Sequence, residues 1–287
     1  MASQAPAGVE PPLGRCQPRS RPVGGRHTAG VDVSQLTVAP GAGVSAFGRV
    51  VSVAGVVWFE PPLAVRSIGY LPGREPPQPS GLGVAIRGVD LTALLEPREK
   101  DGALEGWAAI TGVWQDDELT VTAQSTLRPP PRHRLPSWTV PPCPPPAGGW
   151  PSGDTPDGLG AELAALTASG VAVQVTMFSP PGRGQVPVIS ASDPELAESK
   201  LRPVCGQRLC VVPSRYTQAQ VDAVRADIHS HFQDWQAYSS GLTSGEDGQI
   251  VVTLSLVLLT PAIAAWAEQV PDRLLAPNPW LVPLPGT

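Results

Sequence analysis

Two stretches in the C-terminal half of the chain follow the same order of apolar and capping residues, and this repetition constrains the fold more than any other feature. In the first stretch, an apolar strand pattern runs into Asp193-Pro194, which opens a helix that is followed by another apolar strand. In the second, Thr260-Pro261 takes the same place 67 residues further along. A capping side chain followed by Pro is a strong helix-start signal. The pattern therefore predicts two tandem units of order αββαβ, which form a two-layer module.

The tandem αββαβ module is predicted to span residues 157–287, with units at 157–215 and 216–287. The second unit opens on the most regular helix pattern of the chain, in which Thr217 and Gln220 form a capping box. The order of elements is similar to that of small two-layer modules such as the pro-regions of some secreted bacterial serine proteases. This likeness is one of topology, and it implies no activity.

Residues 128–156 divide the chain, because they contain eleven of its 36 Pro. That composition favours extended polyproline II and excludes regular helix or sheet, so it predicts a linker. The run from Arg128 to Pro136 also has the form of a polyproline ligand with flanking Arg, although a stiff spacer is the simpler interpretation. Residues 1–42 are rich in Pro, Gly and Arg without periodicity, and we expect a disordered arm there.

Between arm and linker, residues 43–127 carry the pattern of a small β-barrel. Val and aromatic residues are dense from Phe47 to Phe59, with Gly at positions where a strand can bend. A polar turn at Gln115–Glu118 separates two apolar runs and predicts a hairpin. About five short strands of this kind favour an OB-like barrel, with an SH3-like barrel as the alternative.

The predicted fold class is therefore α+β. An N-terminal OB-like small β-barrel is joined by the Pro-rich linker to the C-terminal tandem αββαβ two-layer module.

The distribution of charge disfavours nucleic acid as a partner. Residues 40–127 carry 10 acidic and 6 basic side chains, and residues 154–287 carry 13 and 7. The arm and the linker hold the remaining seven Arg. A folded nucleic-acid binder needs the opposite arrangement, because phosphate contacts dominate its affinity. An unidentified protein is the favoured partner.

The sequence shows no targeting signal and no run of 18 apolar residues, so we expect a cytoplasmic protein without a membrane segment. Lys is scarce beside Arg, while Ala, Gly and Pro are abundant, which indicates a bacterial genome of high GC content. In a reducing compartment the four Cys, at positions 16, 143, 205 and 210, are expected to be free thiols. A Cys205–Cys210 disulfide would be expected if the protein were exported.

No motif identifies an enzyme, and we predict neither catalytic residues nor a metal or cofactor. His229 and His231 are two positions apart on a helix and point to different faces, so they cannot chelate one ion. The run Ser190–Asp193 lacks a nucleophile elbow, and Asp116-Asp117-Glu118 is better explained as a hairpin tip than as a cation site. No phosphate loop or dinucleotide fingerprint is present.

One candidate surface lies on the predicted barrel. Trp58 and Trp114, beside Arg49 and Arg87, would offer a stacking platform to single-stranded nucleic acid, or a contact area to a protein partner, if the rings are exposed. The favoured interpretation of the barrel aromatics is core or partner contact.

A second candidate site lies between the two αββαβ units. Cys205, Arg208 and Arg215 are the residues that an unrecognised enzyme would use there. Among these functions we favour a non-enzymatic binding or scaffold protein that acts through protein–protein contacts. Single-stranded nucleic-acid binding ranks second, and the enzyme third.

Overall fold

A computed structural model describes residues 33–62, 76–128, 138–153 and 157–285. The described chain is a mixed α+β fold that is mostly sheet, with four α-helices. Most of the predicted arm, with Cys16, lies outside the described residues, and so does the Pro-rich run after Arg128 as far as residue 137. No helix in the described ranges is long and apolar enough to cross a membrane.

The N-terminal part begins with a short 3-10 turn at Val33–Leu36 and continues with six strands. The strands are β1 (Gly43–Val53), β2 (Val56–Glu60), β3 (Val84–Arg87), β4 (Leu95–Lys100), β5 (Ala103–Gln115) and β6 (Glu118–Ser125). The predicted hairpin is present between β5 and β6, where Asp116 and Asp117 both take positive φ angles in its turn.

Five of these strands close into a ring. β1 pairs with β2 and with β5, β2 with β3, and β6 with both β3 and β5. The β3–β6 pair is parallel and the other pairs of the ring are antiparallel. Burial alternates along β1 and β5, so each strand sends one set of side chains into the ring and the other set outward. β4 lies outside the ring, paired with β5.

The C-terminal part alternates helices and strands. Its elements are α1 (Leu159–Ala168), β7 (Ala172–Phe178), β8 (Val186–Ala191), α2 (Pro194–Cys205), β9 (Cys210–Pro213), α3 (Gln218–Ser230), β10 (Ala237–Ser244), β11 (Ile250–Leu258), α4 (Pro261–Ala267) and β12 (Leu275–Pro283). β7, β8 and β9 form a three-stranded sheet with one antiparallel and one parallel pair. β10, β11 and β12 pair in the same manner.

The helix starts that the sequence predicts are confirmed. The Asp193 side chain accepts a hydrogen bond from the backbone N–H of Leu196 at the start of α2. Thr260 caps α4 in the same way through the N–H of Ile263. Thr217 and its partner three residues on form a complete capping box at α3. Short polar side chains at these positions satisfy N–H groups that have no partner inside the helix.

β12 joins the two parts into one sheet of nine strands, because its end pairs with β1. Trp280 of β12 is buried in the core of the ring, where it packs against Phe59 and donates its indole N–H to the carbonyl of Phe47 at 2.8 Å. Gly48 leaves room for the indole of Trp280, since a Cβ at this position would lie 2.6 Å from Cζ2 of that side chain. The close approach explains why a Gly stands inside an otherwise Val-rich strand.

Cys143 and Cys210 form a disulfide bond, with their Cα atoms 5.6 Å apart. The expectation of four free thiols is wrong for this pair, because residues 138–153 pack against β8 and β9 and bring Cys143 onto Cys210. Cys210 is buried as expected, but it does not pair with Cys205, which is a buried free thiol. Part of the predicted linker is thus fixed covalently to the three-stranded sheet.

Gly48→Ala should lower the free energy of unfolding by about 1–3 kcal/mol, because the added Cβ would clash with the backbone oxygen of Glu60 and with the indole of Trp280. Gly160→Ala is the control, since nothing lies within 4 Å of a Cβ at that exposed site in α1. Ala favours a helix over Gly by about 1 kcal/mol, so this variant should be more stable. Chemical denaturation measures both, and equal effects of the two substitutions would contradict the packing of Trp280.

Reduction of the Cys143–Cys210 bond should lower the free energy of unfolding by about 2–4 kcal/mol. The reason is that the bond closes a long loop and so lowers the conformational entropy of the unfolded chain. The measurement is guanidinium unfolding with and without reductant. The Cys143→Ser, Cys210→Ser double variant should show no effect of reductant. Peptide mapping without reductant should recover the two Cys in one cross-linked fragment, and their recovery as separately alkylated peptides would disprove the bond.

Candidate functional site

Three of the four residues of the N-terminal candidate surface lie on one outer face of the ring. Arg49 stands opposite Glu60 in the β1–β2 register, and Trp58 lies two positions from Glu60 on the same face. Trp58 in turn stands opposite Ala85, which is two positions before Arg87. Because alternate residues of a strand share a face, Arg49, Trp58 and Arg87 are on the same side of the sheet.

The fourth residue, Trp114, points into the ring. Its side chain belongs to the core cluster, with 7% of the residue exposed. The indole is therefore closed off from any base or partner outside. Trp58 is half-buried, so it is the accessible Trp of this set.

Arg49 is held in an ion-pair network that the sequence did not reveal. Its guanidinium contacts Glu60 at 2.6 Å and Glu105 at 3.1 Å, and it donates to the carbonyl of Gln78. Glu105 also pairs with Arg98 at 3.1 Å. Both carboxylates are almost fully buried. Arg49 therefore neutralises the two buried carboxylates, and its charge is not available to a phosphate.

Isolated carboxylates inside apolar strands were the signal for this network. Glu60 ends the apolar β2 and Glu105 interrupts β5, and a buried charge at such a position requires a charged partner. Arg87 differs from Arg49, because it pairs with Glu118 at the surface with 76% of its side chain exposed.

Arg128 covers another aromatic area of the ring. The rings of Phe47 and Trp107 stack with centroids 5.8 Å apart, and the guanidinium of Arg128 lies 5.2 Å from the Phe47 centroid and 5.9 Å from that of Trp107. These are cation–π distances. The Phe47–Trp107 pair is thus covered by a residue of the same chain.

Of the second candidate site, Cys205 and Arg208 lie near each other, whereas Arg215 pairs with Asp247. Cys205 is 4% exposed, and burial raises the pKa of its thiol against the opposing effect of Arg208 and Arg202. A raised pKa lowers the thiolate fraction that a nucleophile needs. Arg208 lies beside Gly153 and Gly184.

Arg215 is positioned by the turn between β10 and β11. Its guanidinium pairs with Asp247 at 2.9 Å, and its backbone N–H donates to Oε1 of Gln249 at 2.9 Å. The Gln249 side chain is buried and also bonds Ser190 and the carbonyl of Pro213. Sequence reasoning missed Gln249, which ties β8 and β9 to the β10–β11 turn.

β10 stands out because it is the last strand of the nine-stranded sheet. Within the described ranges it pairs with β11 alone, so one row of its backbone groups faces outward. Residues 239–242 in its middle are exposed. Its far end is fixed, because Ser244 contacts Thr176 of β7 and its carbonyl accepts from the Trp138 indole at 3.1 Å.

A small pocket opens between β10 and α3. It has a volume of about 90 Å³. The residues that line it are Arg225, Ile228, Ser240, Gly241, Leu242 and Val252. α3 packs mainly on β11, so the inner face of β10 remains uncovered beside it, and Leu242 is 42% exposed there. The free row of β10 and this pocket adjoin, which gives a sheet edge with a side-chain receptacle.

Within the described residues, no group of three or more His, Cys, Asp or Glu side chains is arranged to hold a metal ion. Comparison with protein-family models, curated proteins and solved structures found no match to this chain. The geometry of the surfaces is therefore the basis for assigning a function.

Arg49→Met should lower the free energy of unfolding by about 3 kcal/mol or more, because removal of one partner leaves Glu60 charged and buried. Arg87→Met is the matched control. Its ion pair is exposed, so the loss should stay below about 1 kcal/mol. Urea unfolding of both variants decides the matter, and losses of similar size would show that the Arg49 network is not desolvated.

Proposed function

We propose that the protein is a non-enzymatic binding protein that acts through protein–protein contacts, and that an extended segment of its partner adds to the sheet along β10. The observation that carries this proposal is the chemistry of that strand. Ala237–Ser244 contains neither a charged residue nor Pro. Edge strands normally carry such residues, because they prevent pairing with other chains.

The opposite end of the same sheet shows what a protected edge looks like. β4 contains Pro97 and four charged residues in six positions, together with a bulge in its pairing with β5. β10 has a bulge near Ala237 but only small or uncharged side chains in its exposed middle. This contrast within one sheet supports the proposal that the β10 edge pairs with a strand of another protein.

The occupant is an extended segment of another protein, because a strand matches the spacing of a row of outward-facing backbone N–H and C=O groups. Its alternate side chains would face α3, where Leu242 offers an apolar contact. Arg225 stands at the pocket, 3.6 Å from Asp222 and more than half exposed. Its charge favours an acidic side chain of the partner at that position.

We also propose that the five-stranded ring is an OB-like barrel. The strand order supports this, since β1, β2, β3, β6 and β5 return to β1 with one parallel pair, β3–β6. Duplication of an αββαβ unit is the companion proposal. It is supported by the shared order of helices and strands and by equivalent caps at Asp193 and Thr260.

The cytoplasmic location and the binding of single-stranded nucleic acid are weaker proposals. A Cys143–Cys210 disulfide favours an oxidising compartment, because reducing ones keep thiols free. Stacking of bases would fall to Trp58 and Arg87, since Arg49 is paired and Trp114 is buried. Binding to a protein partner remains the function that the surface supports best.

Selection of a displayed library of random peptides tests the proposal. Peptides enriched on the full chain should slow amide hydrogen exchange at those positions of 239–243 whose N–H groups point away from β11, because strand addition gives these amides new partners. Leu242→Asp should weaken binding of the selected peptides about tenfold or more, since it replaces the apolar contact by a negative charge that repels the acidic side chain expected at Arg225.

Ser239→Asp is the control for the Leu242→Asp variant. It adds the same charge to the same strand on the opposite face, so binding should persist. Peptides that bind both variants equally, or that leave exchange in β10 unchanged, would contradict strand addition. Failure of the library to yield any peptide would count against a protein-binding edge.

A further inference from the structure

A second groove lies on the other side of α3, between that helix and α4. It is shallow and largely open to solvent, with a volume of about 670 Å³. In the preceding group of elements, α1 packs directly against α2. Of these two helix pairs, only α3 and α4 are separated by an opening.

The walls of the groove are largely apolar. They are formed by Ala223, Val224, Ala226, Trp266, Val270 and Pro271. Gln220, Ser230 and Gln269 add neutral hydrogen-bonding groups. Asp227 supplies the one ionisable side chain of this lining, and about half of its surface is exposed.

Asp227 is fixed in place by its neighbours. Oδ2 accepts the indole N–H of Trp266, and Oδ1 lies 3.8 Å from Nδ1 of His231. The same His231 nitrogen is 3.0 Å from the backbone carbonyl of Asp227. These contacts restrict the rotation of a carboxylate that lines the groove.

Trp266 is held by aromatic packing. It meets Trp235 at 4.5 Å between centroids, and Trp235 stacks on His231 at 4.8 Å with the planes 10° apart. The indole that lines the groove is thus supported from behind. An aromatic ring beside a fixed carboxylate is the combination that binds organic cations, by charge-assisted hydrogen bonds and cation–π attraction.

We propose that the groove between α3 and α4 binds a small organic cation, an amine carried on an apolar body. The ammonium group bonds Asp227, and the apolar body lies along Val224, Trp266 and Val270. The charge of the groove excludes anions, and its apolar walls disfavour a bare metal ion, which needs several oxygen ligands. This site is independent of strand addition at β10, since it lies on the opposite side of α3.

Phenethylamine is the test probe, and phenethyl alcohol is its neutral analogue of the same shape. An NMR titration follows the indole N–H resonance of Trp266, assigned with the Trp266→Phe variant. The amine should bind with a Kd of about 1 mM or tighter. The alcohol should bind about tenfold more weakly, because its hydroxyl makes no charge-assisted bond.

Asp227→Asn removes the charge but retains an oxygen that can accept the Trp266 indole. The variant should lose the preference for the amine and bind the alcohol as the native chain does, which also shows that the groove is intact. Asp222→Asn, one turn earlier on α3 and outside the lining, should keep the full preference. Equal binding of amine and alcohol by the native chain, a preference retained in Asp227→Asn, or no shift of the Trp266 resonance would overturn the proposal.

Discussion

The indole of Trp280 lies where the two parts of the molecule meet, and the rest of the structure depends on that contact. β12 is hydrogen-bonded to β11 on one side and to β1 on the other, so the same strand completes two cores. Leu281 and Leu258 join Trp280 in the cluster inside the ring. Burial of a Trp contributes strongly to such a core. This arrangement requires a Gly at position 48, because no side chain fits between β1 and Trp280.

That union determines which surfaces remain for binding. The outer face of the ring is largely satisfied within the chain, by the ion pairs of Arg49 and by Arg128 over Phe47 and Trp107. The three-stranded sheet is fixed by the disulfide to Cys143 and by the hydrogen bonds of Gln249. At the far end of the large sheet, β10 is paired on one side alone within the described chain, and α3 leaves part of its inner face uncovered. Open hydrogen-bonding capacity is concentrated there.

Local signals in the sequence predicted the elements well, because caps and turns depend on neighbours a few residues away. Asp193, Thr217 and Thr260 each satisfy an N–H within their own helix turn, and the β5–β6 hairpin needs only its own polar turn. The contacts that sequence reasoning missed join distant residues. Cys143 meets Cys210 across 67 positions, and Arg49 meets Glu105 across 56. The Pro-rich composition around Cys143 predicted a free spacer there. The sequence spacing of Arg49 and Glu105 does not reveal the strand register that brings these two side chains together.

The two proposed sites follow from the position of a single helix. Arg225 and Asp227 are two residues apart on α3, and residues so spaced point to opposite sides of a helix. Val221, Val224 and Ile228 hold α3 on the sheet, so one side of it faces β10 and the other faces α4. The groove toward β10 therefore has a basic side chain and the groove toward α4 an acidic one. Under both proposals the opposite charges of the adjoining grooves would separate their ligands by sign, so the acidic side chain of a partner segment and an organic cation would not compete.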